Sequence, residues 1–165
     1  MKTRIPIEIV VGVLAGISCL VTLPSINIPL WALFIGWAWY FALGASPEAF
    51  KKIYPAVFTG ALNAALCLWM MGFLNNIGIS GIIGTMLAVS ITVFLLMMTI
   101  KIPLFSSSLP AFNAYSSVFA LMYIGAFPEL SVGPILSCTI WAMMGLFLGP
   151  IFGYLSIKLT FPREE

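Results

Sequence analysis

Apolar residues along this chain come in long runs rather than in alternation. Six runs can be marked, at residues 7–23, 29–45, 56–74, 79–100, 101–127 and 132–157. Short clusters of Pro, Asn, Ser, Glu and Lys set them apart. A run of about 20 apolar residues matches the hydrocarbon thickness of a bilayer when it is wound as a helix. The pattern predicts an all-α, polytopic membrane protein with about six transmembrane helices, in one transmembrane domain over residues 1–165. In the polar link 46–55, Ser46, Pro47 and Glu48 read as a helix start. A short surface helix is therefore expected ahead of the third span.

The fifth run departs from the others. Behind Lys101 its first half holds Pro103, Ser106, Ser107, Ser108, Pro110, Asn113, Ser116 and Ser117. Proline removes a backbone donor, and lipid supplies no replacement, so this span is expected to be broken at Pro103 and Pro110. Loosened backbone at membrane depth must bond to protein or to a water-lined cavity, which makes the segment a candidate path lining. The same residues also suit a kinked helix whose serines bond back to their own carbonyls. Phe105 flanks the stretch, and Phe112, Tyr115 and Phe119 share a helix face by their spacing. They would form either a narrow slot for small, flat, uncharged molecules or a packed core. Asn63 in the third span is a second amide with donors and an acceptor to satisfy at depth. The candidate substrate path is thus Phe105, Ser106, Ser107, Ser108, Pro110, Phe112, Asn113, Tyr115, Ser116, Ser117 and Asn63.

Charge fixes the threading. Lys2, Arg4, Lys51, Lys52, Lys101, Lys158 and Arg163 all fall on one side if six spans start in the cytoplasm. That asymmetry is what orients bacterial inner-membrane proteins, and it predicts both termini in the cytoplasm. Small residues mark where helices touch. Gly145, Gly149 and Gly153 repeat every four residues in the sixth span, as do Gly12 and Gly16 in the first. Each set is a flat strip for close helix packing, within the chain or between copies of a homo-oligomer.

Composition removes whole classes of function. The chain is 62% hydrophobic and 7% charged, with mean hydropathy +1.14, too few charges to cover a soluble surface. It has no histidine, and its acids are Glu8, Glu48, Glu129, Glu164 and Glu165. Metal ligation, cofactor binding and histidine-based catalysis lack their residues, and a net charge of +2 gives no reason to expect nucleic acid. Cys19, Cys67 and Cys138 lie inside apolar runs without a CxxC spacing and read as core residues. No acid, lysine or histidine sits mid-span, which argues against a proton-driven pump.

Several stretches carry a family resemblance. GVLAGI (residues 12–17), LWALFIGWAWYFALG (30–44), FLLMMTIK (94–101), SLPAFNAYSSVFA (108–120) and GLFLGPIFGY (145–154) resemble the YcdZ-like family. These are small bacterial inner-membrane proteins, classed as a domain of unknown function. The resemblance implies location and brings no activity. PLFSSSLPAFN (103–113) is also similar to the pore segment of urea transporters, without their constriction threonine. Together these readings point to a passive facilitator for small uncharged polar solutes, urea-like in size. The rivals are a non-transporting scaffold or regulatory subunit, and a small secondary carrier.

Overall fold

The computed structural model describes residues 5–160, so Lys2, Arg4 and Arg163 lie outside the described residues. Six α-helices follow the six apolar runs: α1 Ile7–Ser18, α2 Leu30–Ala42, α3 Glu48–Asn76, α4 Gly81–Ile100, α5 Ser108–Ile124 and α6 Pro134–Thr160. A single 3-10 turn extends α1 at Cys19–Thr22, and another precedes α5 at Pro103–Phe105. No strand occurs among the described residues. Helices α3, α4 and α6 are long and apolar enough to cross a membrane, while α1 with its extension and α2 are shorter apolar helices. This is a helical membrane protein.

The helix ends have local causes. Gly44 at φ +102° lets the chain leave α2, and the Ala45 amide donates back to the Tyr40 carbonyl at 2.9 Å. Gly125 does the same for α5 with φ +70°, its amide bonding the Leu121 carbonyl at 3.0 Å. Pro134 opens α6 where its missing N–H costs nothing.

Two boundaries differ from the expectation. The separate surface helix over 46–55 does not form, because α3 runs unbroken from Glu48 through Pro55. The carbonyl that Pro55 leaves without a helical partner belongs to Lys51, which is exposed at the helix end where water can reach it. In the fifth run the interruption falls ahead of the helix. Residues 101–107 form the Pro103–Phe105 turn and its flanks, and the helix begins at Ser108. Pro110 sits in the first turn of α5, where no intrahelical donor is lost, and the helix then continues without a break.

Packing is set by small residues. The strip Gly145, Gly149 and Gly153 of α6 lies against α2, at Ala32, at Leu33 with Gly36, and at Tyr40 respectively. Numbers rise together along both helices, so α2 and α6 are parallel. Gly145 lies eleven residues beyond Pro134, so α2 starts about 16 Å along α6. In the same way Gly60 of α3 lies against the backbone of Ala111 in α5, and Cys67 lies by Tyr115. Helices α3 and α5 are therefore parallel too, with α5 starting about 18 Å along α3. By contrast Gly12 and Gly16 face open space on α1. Around the Gly149 crossing the buried core holds Ala32, Tyr40, Val57, Ala114 and Leu146. Trp37 packs with Val10 and Leu14 of α1, its Nε1 buried without a partner.

Candidate functional site

Helix α5 is one turn old at Asn113 and already near the middle of α3, whose ends are Glu48 and Asn76. From there Asn113, Ser116, Ser117 and Ala120 follow the spacing i, i+3, i+4, i+7 and so form one stripe. That stripe faces Trp31 and Ile35 of α2, and the six residues line an open groove of about 290 Å³. Ser117 is buried, Asn113 half-buried and Ser116 exposed. Among the described residues the Asn113 amide makes no hydrogen bond to another side chain or carbonyl. The groove thus offers an amide and two hydroxyls on one wall and an indole with a branched aliphatic chain on the other. It can hydrogen-bond a small neutral solute and stack its flat face, and it holds no group able to exchange a proton near neutral pH.

The other sequence candidates lie elsewhere. None of Phe105, Ser106, Ser107, Ser108 and Asn63 lines this groove. Ser106 Oγ donates to the Pro103 carbonyl at 2.9 Å, holding the turn before α5. Asn63 Nδ2 donates to the Thr59 carbonyl of its own helix at 2.9 Å. Pro110 is buried against the core, and Phe112 is 37% exposed on the outside of the bundle. Tyr115 is buried, its ring 5.1 Å from that of half-buried Phe119. The aromatic face therefore splits into core and surface rather than forming a slot.

Tyr115 instead anchors a buried polar contact. Its hydroxyl lies 2.9 Å from Thr92 Oγ1 of α4, and Thr92 Oγ1 also donates to the Ala88 carbonyl at 2.8 Å. Thr92 must then accept the Tyr115 proton, so the pair is a directed hydrogen bond between α4 and α5. A double-mutant cycle with Tyr115→Phe and Thr92→Val is expected to give a coupling of about 1 kcal/mol in unfolding experiments in micelles. A coupling of zero would show that the two hydroxyls act independently.

Trp31 is a groove residue that lies outside the candidate path read from the sequence. A tryptophan at the start of an apolar run commonly marks the membrane surface. Because α2 starts partway along α6, the ring is half-buried beside α5 instead. The offset comes from the glycine register with α6, which no local pattern announces.

The described charged side chains keep to the periphery. Glu8, Glu48, Lys51, Lys52, Lys101, Glu129 and Lys158 are all exposed, and Lys51 pairs with Glu48 at 2.9 Å on the surface of α3. Over residues 8–161 the sequence matches the family described as Protein of unknown function (DUF1097). The chain belongs to the DUF1097 family. Neither a curated protein nor a solved structure matches it.

Proposed function

We propose that this DUF1097 protein is a passive facilitator for small uncharged polar solutes, urea-like in size and polarity. One observation carries the reading: the stripe Asn113, Ser116 and Ser117 facing Trp31 in a groove near the middle of α3. Polar groups at that depth are costly unless they serve a solute or a partner, and here no acid or amine accompanies them. The resemblance of residues 103–113 to a urea-transporter pore segment agrees with that chemistry. We place the protein in a bacterial inner membrane with six crossings and both termini cytoplasmic, following its charge asymmetry. The reading assigns no catalytic role.

The test is stopped-flow shrinkage of proteoliposomes carrying the purified chain, across urea, acetamide, glycerol and water. Flux of at least one solute well above that of empty vesicles is expected, with no dependence on a proton gradient. Rates equal to empty vesicles for all four would end the proposal.

We also propose a homo-oligomer formed through α1. Gly12 and Gly16 face open space beside exposed Ile9, Val13 and Ile17, so a second helix could approach closely there. Gly16→Leu is expected to convert the oligomer to monomer by native mass measurement in detergent while leaving the thermal midpoint unchanged. An unaltered oligomer would move the contact elsewhere.

A further inference from the structure

The helix order repeats halfway along the chain. Residues 7–76 run helix, 3-10 turn, helix, long helix, and residues 81–160 run the same sequence of elements again. In each half the second helix is short and the third is long. The contacts repeat as well. Exchange α1 with α4, α2 with α5 and α3 with α6. The pair α2–α6 then becomes α5–α3, α1–α6 becomes α4–α3, and α2–α3 becomes α5–α6. The pairs α3–α6 and α2–α5 map onto themselves. Every pair of α-helices in substantial contact among the described residues belongs to this set, so the exchange preserves the pairing of the six α-helices; the turn Pro103–Phe105 also packs on α3, without a comparable contact between Cys19–Thr22 and α6. The two equivalent crossings also share a device: a short helix runs parallel to the long helix of the other half, with glycine at the closest approach. These are Gly36 on Gly149 and Ala111 on Gly60.

Three helices are an odd number, so two such units cross a bilayer in opposite directions. Units arranged in this way are related by an axis in the membrane plane, and sites of transporters built so lie at the unit interface near mid-depth. Helix pairs that map onto themselves must straddle that axis. One is α3–α6, which packs largely through apolar side chains, with the Tyr54 hydroxyl donating to the Phe147 carbonyl at 3.2 Å. The other is α2–α5, and between these two helices lies the groove of Trp31, Ile35, Asn113, Ser116, Ser117 and Ala120.

We infer that the chain is an inverted repeat of two three-helix units, and that the α2–α5 groove is a neutral-solute site on its axis, reached from both sides of the membrane. The site assignment rests on the facilitator reading. The repeat rests on the packing diagram alone. A solute in the groove touches one unit through Trp31 and the other through Asn113. Because the two units present opposite ends to the bilayer, neither face is the privileged entrance.

The experiment uses the full chain with exposed Cys19 replaced by serine; Cys67 and Cys138 are buried. Asn113→Cys and, separately, Ser116→Cys are treated with a membrane-impermeant thiosulfonate in spheroplasts and in inverted vesicles. Ser25→Cys and Ser46→Cys serve as one-sided controls. Both groove variants are expected to react in both preparations, at rates within about tenfold of each other, while each control reacts in only one. Reaction of both groove variants from one side alone, or from neither, overturns the inference. The flux assay separates this from the facilitator reading. Two-sided labelling in a protein that carries no solute keeps the axis site and ends facilitation, whereas flux with one-sided labelling keeps facilitation and ends the axis site.

Discussion

Gly149→Leu is expected to leave almost no folded protein. A Cβ at position 149 would collide with backbone: the Leu33 carbonyl oxygen, the Trp37 amide nitrogen and, at 2.6 Å, the Gly36 carbonyl carbon. Backbone cannot rotate away as a flexible side chain can, so α2 would have to lift off α6. Overpacking a tight core costs about 1–3 kcal/mol and occasionally more. Here the effect belongs at the upper end, ~3 kcal/mol or beyond, because a whole helix interface opens. Fluorescence-detected size exclusion after expression would report it as loss of the monodisperse peak. Gly12→Ala is the contrasting case, since nothing lies near that position and alanine is the better helix former by about 1 kcal/mol. A Gly149→Leu protein with an unchanged thermal midpoint would refute the α2–α6 register described above.

Asn113→Leu is expected to cut solute flux at least about tenfold while leaving the fold intact. The side chain is half-buried, makes no hydrogen bond to a side chain or carbonyl among the described residues, and faces a groove rather than a packed core. Leucine keeps the branch at Cγ and removes the amide's hydrogen-bonding groups. A lost hydrogen bond to a solute accounts for about 1.4 kcal/mol, which is a factor of ten. Asn63→Leu is the matched control, because its amide already bonds the Thr59 carbonyl within α3. Stopped-flow rates for the two variants should separate clearly. Equal rates would mean that the polar stripe of α5 has no part in permeation.

Much of the helical skeleton was legible because membrane helices announce themselves by length and hydropathy. The six runs at residues 7–23 to 132–157 each hold a helix, and Lys101 and Asn76 stand at helix ends as read. Proline was harder to interpret. Pro55, Pro110 and Pro150 all lie within helices, because what matters is whether the freed carbonyl or missing amide falls where a partner exists. For Pro110 that place is a first turn, and for Pro55 it is a water-exposed end. The glycine spacing in α6 signalled close contact but could not name α2 as the neighbour, since a flat strip accepts any helix. The candidate site was legible in part. Asn113, Ser116 and Ser117 were visible as polar groups in an apolar run, yet their partner Trp31 depends on the register between α2 and α6. Phe112 and Tyr115 share a face by count, but they point to opposite environments because α5 is wedged between α3 and α6 with one side open.

The parallel pairing of α2 with α6 also dictates how the protein must be made. Helix α2 has 13 residues, about 20 Å of helix, which is short of a hydrocarbon layer of about 30 Å, so the chain at its ends must complete the crossing. Its partner emerges from the ribosome last, more than a hundred residues later. The first hairpin must wait in the bilayer without its most extensive interface, supported only by its contacts with α3, until synthesis is nearly finished, whereas α4 can dock on α3 as soon as it appears. Nascent chains halted before Gly145 would therefore be recognised by quality-control proteases through their amino-terminal third, far from the missing end.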